Sequence, residues 1–220
     1  PDLALGYQGG VDALQSMAKN YGIQMLDYWP TICQSLNFSY ILKAEENFDA
    51  WGHKRTELDR IEWIACESVK VAWRARHPAI ASMWYACEDA ARTAILNPET
   101  IQKAGDHLAF GCVKHKGQRW LLCKMPSGNC LTYFAPWLDE DDKINCMGMN
   151  NTTRQWEHQT LYGGKFMENA CQSYSRDILA HNMSEMRNSN EVGFVLTVHD
   201  ESISEQDEND QYTIEQFTHD

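Results

Sequence analysis

Apolar positions along this chain follow two spacings, with the change near Gly105. Between residues 10 and 20, Val11, Leu14, Met17 and Ala18 make one apolar face at helical spacing, and Gly22 is a fitting end. Residues 24 to 50 are less regular, and Pro30 reads there as a breaker. A long helix is predicted over about 54 to 75, because Ile61, Ile64, Ala65, Val69 and Ala72 recur on one side. His77-Pro78 ends that run, since the residue before a proline avoids the helical region. Pro78 in turn suits the first turn of a next helix, about 79 to 96, with Ile80, Met83, Trp84, Cys87, Ala91 and Ile95 as its apolar positions. Asn97-Pro98 closes it, so the first hundred residues are expected to be mostly helical.

After Gly105 the spacing shortens. Residues 110 to 113, 119 to 124 and 130 to 134 read as short strands, with Gly117 and Pro126-Ser127-Gly128-Asn129 at the turns between them. The acidic run 139 to 142 is a solvated loop, and 145 to 150 is a further strand or turn. Tyr162-Gly163-Gly164 precedes a helix expected over 165 to 186. The run Gly193-Phe194-Val195-Leu196-Thr197-Val198 then reads as a largely buried strand, joined by His199-Asp200-Glu201 to a second short strand, 202 to 205. Helices first, then antiparallel strands with a terminal hairpin, define an α+β fold. The expected division is 1–104, helical, and 105–220, mixed, with the hairpin around 194–205.

The 220 residues suffice for one large domain or two small ones. A net charge of -12 argues against a generic nucleic-acid coat, which relies on Lys and Arg at phosphates. It leaves room for an enzyme whose basic residues line one cleft of an acidic surface. None of the eight cysteines forms a C-x-x-C pair, so they are expected to be reduced, mostly buried thiols of a cytoplasmic protein. No signal-peptide pattern is visible, and no run reaches the ~18 apolar residues of a membrane span, so no membrane partner is expected.

Three places carry candidate chemistry. Asp200 and Glu201, held at the end of a strand, could approach a hard cation such as Mg²⁺; the alternative is a plain hairpin turn. On the helix after Gly163-Gly164, Glu168 and Gln172 share a face near Lys165, with Ser175 and Arg176 continuing it; the alternative is solvated helix surface. Tyr7, set among Gly6, Gln8, Gly9 and Gly10, could stack on a flat partner such as a base, or could be a core residue in a glycine-rich turn.

Several of these segments resemble family A DNA polymerases, the bacterial polymerase I class, in the variant of phages and prophages. Leu196-Thr197-Val198-His199-Asp200-Glu201 is similar to the family's third palm motif. Leu3-Ala4-Leu5-Gly6-Tyr7-Gln8-Gly9-Gly10 is similar to the end of its fingers helix, and Trp73-Arg74-Ala75-Arg76-His77-Pro78-Ala79-Ile80 to a segment between fingers helices. Leu122-Cys123-Lys124-Met125-Pro126-Ser127-Gly128 resembles a phage-type strand and turn. Leu161-Tyr162-Gly163-Gly164-Lys165-Phe166-Met167-Glu168-Asn169-Ala170-Cys171-Gln172 and Ser175-Arg176-Asp177-Ile178-Leu179-Ala180 resemble the palm helix before the catalytic hairpin. The matches keep the family's order along nearly the whole chain.

The resemblance implies fingers over 1–104 and palm over 105–220. It implies template-directed DNA synthesis, in which a primer 3'-hydroxyl attacks a dNTP with two Mg²⁺ ions. Asp200 matches the metal-binding aspartate, Glu201 the supporting carboxylate beside it, and His199 the residue at the primer terminus. Tyr7 matches a tyrosine near the templating base, and Gln172 a glutamine at the minor-groove edge. Lys165 and Glu168 lie on the same helix, Glu168 where many relatives have Asn. Leu3 falls where many relatives carry Phe or Tyr, and Asn129 where the phage pattern has Arg, a change that either weakens a DNA contact or is compensated by the nearby Lys124. The implied partners are primer-template DNA, dNTP and a replication accessory factor, acting on a monomer. The family's first palm motif, with its second aspartate, would lie before Pro1, so this chain alone is expected to be inactive. A metal-dependent phosphodiester hydrolase and a non-catalytic DNA-binding fragment are the alternatives.

Overall fold

Helix follows helix through the first 96 residues of the computed structural model, which describes residues 1–54, 56–189, 193–199 and 201–205. The helices are α1 (Asp2–Leu5), α2 (Val11–Asn20), α3 (Trp29–Ser35), α4 (Phe38–Ala50), α5 (Arg60–Arg76) and α6 (Pro78–Leu96). Gly22 has φ +69° just past α2, where a side chain would be strained, which matches its expected stop role. Between α2 and α3, Met25–Tyr28 form a 3-10 turn. Pro30 does not break the chain as expected. It sits in the first turn of α3, where its missing N–H costs nothing. The helix expected from 54 starts later, at Arg60, because the Asp59 carboxylate accepts the Ile61 N–H at 2.8 Å and caps it. Pro78 opens α6 as expected.

The second half is a six-stranded antiparallel meander of β1 (Ile101–Ala104), β2 (Leu108–His115), β3 (Gln118–Lys124), β4 (Cys130–Leu138), β5 (Ile144–Met149) and β6 (Trp156–Leu161). The sequence pattern misses β1 and β6. β1 has four residues, and β6, with Glu157, Gln159 and Thr160, carries little apolar signal. The sheet begins at Ile101, before the composition changes. Helix α7 (Gly163–Ser189) follows, then the separate ribbon β7 (Gly193–Val198) and β8 (Glu201–Glu205).

Two clusters of buried side chains hold these elements. One lies among α1 to α6 and includes Leu5, Ile41, Trp63, Cys66 and Trp84. The other lies between the sheet, α6 and α7, and includes Cys87, Phe110, Leu121, Ile144 and Phe166. Helix α6 serves both, with Trp84 in the first and Cys87 to Ile95 in the second, and Met167 of α7 packs against each. Phe166 meets Phe110 and Tyr133 edge-on at ring separations of 5.1 and 5.3 Å. Full burial of such a ring contributes about 1.5–3 kcal/mol. All eight cysteines are free thiols, and Cys66, Cys87, Cys112, Cys123 and Cys146 are buried.

The expectation that β7 is largely buried is not met. Leu196 and Val198 are 45% and 43% exposed. Its run is apolar, yet the ribbon stands apart from the six-stranded sheet and pairs only β7 with β8. A bulge between Phe194 and Leu196 also interrupts the expected side-to-side alternation.

Candidate functional site

Tyr7 sits on a turn that the two long helices clamp. Trp73 of α5 donates its indole N–H to Asp2 at 2.6 Å, and Trp84 of α6 donates to the Gly6 carbonyl at 2.9 Å. The two indoles lie nearly parallel, 6.1 Å apart, and the Arg74 guanidinium covers Trp84 at 5.5 Å. Arg74 also donates to the carbonyls of Gln8 and Gly9 at 3.3 and 3.2 Å. Leu5 beneath the turn is fully buried. The segment 73–80 thus acts on the site indirectly, by fixing the backbone that presents Tyr7.

Helix α7 starts against that same turn. A Cβ on Gly164 would lie 2.1 Å from the Tyr7 carbonyl oxygen, and one on Gly163 would lie 2.0 Å from that of Trp84. Only glycines permit this approach. The exposed N–H groups at the helix start find partners across the seam: Gly164 donates to the Gln8 side chain at 2.8 Å, and Gly163 to Glu88 at 3.1 Å. Further along α7, Asp177 accepts from Ser127 at 2.5 Å and from Asn129 at 2.7 Å. Asn129 therefore ties the β3–β4 turn to α7. Its amide is committed within the protein, whatever a residue there does in polymerases.

Tyr7, Gln172 and His199, picked from distant segments of the sequence, line one cavity of about 530 Å³. Arg176, Ser175 and Thr197 complete its polar wall, with Cys171 and Leu179 beside them. Gln172, Ser175, Arg176 and Leu179 recur at three- and four-residue steps, so one stripe of α7 faces the cavity. That stripe was the signal available in the sequence for Arg176 and Leu179. Among the described lining residues there is no carboxylate, and Arg176 supplies a positive charge in a chain of net charge -12. Burial pushes the Tyr7 phenol above its ordinary value of 10.0, and the Cys171 thiol and Glu168 carboxylate push it the same way. Tyr7 therefore stays neutral as a stacking ring with a hydroxyl donor.

The remaining candidates are placed differently. Lys165 and Glu168 pair with each other at 2.9 Å, one turn from the cavity wall. In the hairpin, Val198 pairs with Glu201, and His199 takes φ +56°. Glu201 is exposed. Asp200 lies outside the described residues. Among the described residues no three His, Cys, Asp or Glu side chains gather to hold a metal. A Mg²⁺ ion takes several oxygen ligands in near-octahedral order, so the described residues do not make a Mg²⁺ centre. What they offer is binding chemistry: a neutral ring, an amide, an imidazole and a guanidinium on one concave wall.

The chain is 28% identical over 208 residues to the DNA polymerase of Bacillus phage SP02, a match that covers 92% of this chain. It spans about a quarter of that relative's length, 25%. The match supports a distant relation to the polymerase superfamily. No family model matches the chain. No solved structure matches it either. No helix among the described residues is long and apolar enough to cross a membrane.

Proposed function

We propose that this chain is part of the polymerase domain of a template-directed DNA polymerase, with 1–104 on the fingers side and 105–220 on the palm side. In this reading the cavity wall holds the end of a primer-template duplex beside the incoming dNTP. The observation that carries it is the convergence of Tyr7, Gln172 and His199, from three separate segments, on one cavity that also holds Arg176. Each group suits a part of a nucleic acid. The Tyr7 ring stacks on a base. The Gln172 amide both donates and accepts, as a base edge requires. Arg176 matches a backbone phosphate with a fork of donors, and His199 adds a donor at the primer terminus.

The reaction proposed is nucleotidyl transfer from a dNTP to a primer 3'-hydroxyl. Asp200 is proposed as its Mg²⁺ ligand, with Glu201 in support and further carboxylates supplied from beyond the described residues. Likeness to part of a phage DNA polymerase supports this assignment.

Primer extension by the full polypeptide that carries this chain tests the reading. Asp200→Ala is expected to abolish extension while primer-template binding persists. Gln172→Ala is expected to weaken primer-template binding by roughly tenfold, the scale of one good base-edge contact. Extension by Asp200→Ala at the unmodified rate would overturn the assignment of that carboxylate.

A further inference from the structure

The face of the six-stranded sheet turned away from α6 and α7 carries chemistry of its own. Leu108, Phe110 and Cys112 of β2 point into the core, so Ala109, Gly111 and Val113 point the other way, as do Trp120, Leu122 and Lys124 of β3. Cross-strand pairs extend that outer face: Trp120 lies opposite Phe134, Phe134 opposite Met147, and Met149 opposite Trp156. The rings form a ridge, with Trp120 and Phe134 4.9 Å apart and Phe134 and Trp156 6.0 Å apart. Beside the ridge, Ala109 and Gly111 leave a hollow of about 470 Å³ floored by Val113 and Leu122. The face stays open to solvent at both edges, where Ile101 is 78% and Trp156 55% exposed.

Its charge runs against that of the chain. Across 99–134 there are five cations, Lys103, Lys114, Lys116, Arg119 and Lys124, against two carboxylates, Glu99 and Asp106, in a protein of net charge -12. Lys124 borders the hollow, and Lys103 pairs with Ala109 in register and so shares the face, while Glu99 lines the rim of the hollow and Lys114, paired with Arg119, belongs to the opposite side. Among the described residues neither Lys103 nor Lys124 has a carboxylate partner.

We propose that this outer face is a docking surface for single-stranded DNA, whose bases stack on Trp120, Phe134 and Trp156 and whose phosphates run past Lys103 and Lys124. An open, flat surface with protruding rings and unpaired cations fits a strand whose base faces are free. A duplex hides those faces within its own stack and gains only the phosphate contacts. The proposal uses none of the residues of the Tyr7 cavity, so its failure leaves the polymerase reading standing, and the converse also holds.

Titration of the full chain with a short labelled oligo(dT) and with a blunt duplex of equal length tests it. Oligo(dT) is expected to bind with quenching of tryptophan fluorescence, more tightly than the duplex, and less tightly as salt rises. Trp156→Ala is expected to weaken it roughly tenfold, the scale of losing one stacked base. Lys124→Glu, at an exposed site that leaves folding undisturbed, is expected to weaken binding and flatten its salt dependence. Absence of oligo(dT) binding, equal affinity for the duplex, or unchanged affinity in both variants would overturn the proposal. Loss of oligo(dT) binding in Tyr7→Ala with none in Trp156→Ala would place the strand in the other cavity and overturn it too.

Discussion

Two adjacent glycines do more for the candidate site than any of its polar side chains. Gly163 and Gly164 let the start of α7 touch the backbone of Trp84 and Tyr7, and this contact sets where Gln172 and Arg176 stand relative to the Tyr7 ring. A methyl group on Gly164 would sit 2.1 Å from a carbonyl oxygen, and backbone cannot rotate away as a flexible side chain can. Gly164→Ala is therefore expected to destabilise the chain by roughly 1–3 kcal/mol, the cost of overpacking a fitted contact. Gly10→Ala, where an added Cβ meets nothing within 4 Å, is expected to cost less than about 1 kcal/mol. Urea denaturation of the two variants beside the unmodified chain measures the difference. A Gly164→Ala chain as stable as Gly10→Ala would show that α7 can shift without loss.

At the scale of elements, helix boundaries and strand turns were largely legible, because Pro78, Asn97, Gly117 and Gly128 punctuate the sequence. The less regular stretch 24–50 hid α3 and α4, since Pro30 is equally at home inside a first helical turn and at a break. What no local pattern could report is which elements touch. Asn129 illustrates this. In sequence it is a departure from a phage motif, whereas in the fold its amide reaches Asp177, 48 residues away, alongside Ser127. This link braces the β3–β4 turn against the helix that carries the cavity stripe. A double-mutant cycle on Asn129→Ala and Asp177→Ala is expected to give a coupling energy of about 1 kcal/mol, as for a hydrogen bond to a charged group at a partly exposed site. Additive effects would mean that the link contributes nothing. The exposed face of β7 makes the same point from the other side. An apolar run predicts burial, but burial needs a layer that covers it, and although α7 approaches β7, Leu196 and Val198 remain 45% and 43% exposed.

For the molecule as a whole, the α+β class and the order of its halves follow from the change in spacing near Gly105. The sharing of α6 between two cores does not, because it depends on which face each neighbour covers. Both cores are lined with thiols, and this gives the whole chain a pH dependence of definite sign. Burial raises Cys66 to about 12, Cys87 to about 11 and Cys123 to about 12, from an ordinary value of 9.0, and nearby carboxylates add to the rise at Cys66. Each group holds its proton more tightly folded than unfolded. Their stabilisation is thus fully present below pH 9 and is lost as pH rises through 11 to 12. Under reducing conditions, urea midpoints are expected to be flat across pH 7 to 8.5 as far as these thiols are concerned, and to fall steeply by about pH 10.5. Cys87→Ala leaves one fewer buried thiol to ionise, so it should lower the midpoint at pH 7 and yet lose less of it on going to high pH. A fall of the same size in both proteins would show that ionisation of Cys87 plays no part, and that alkaline loss comes from groups elsewhere in the two cores.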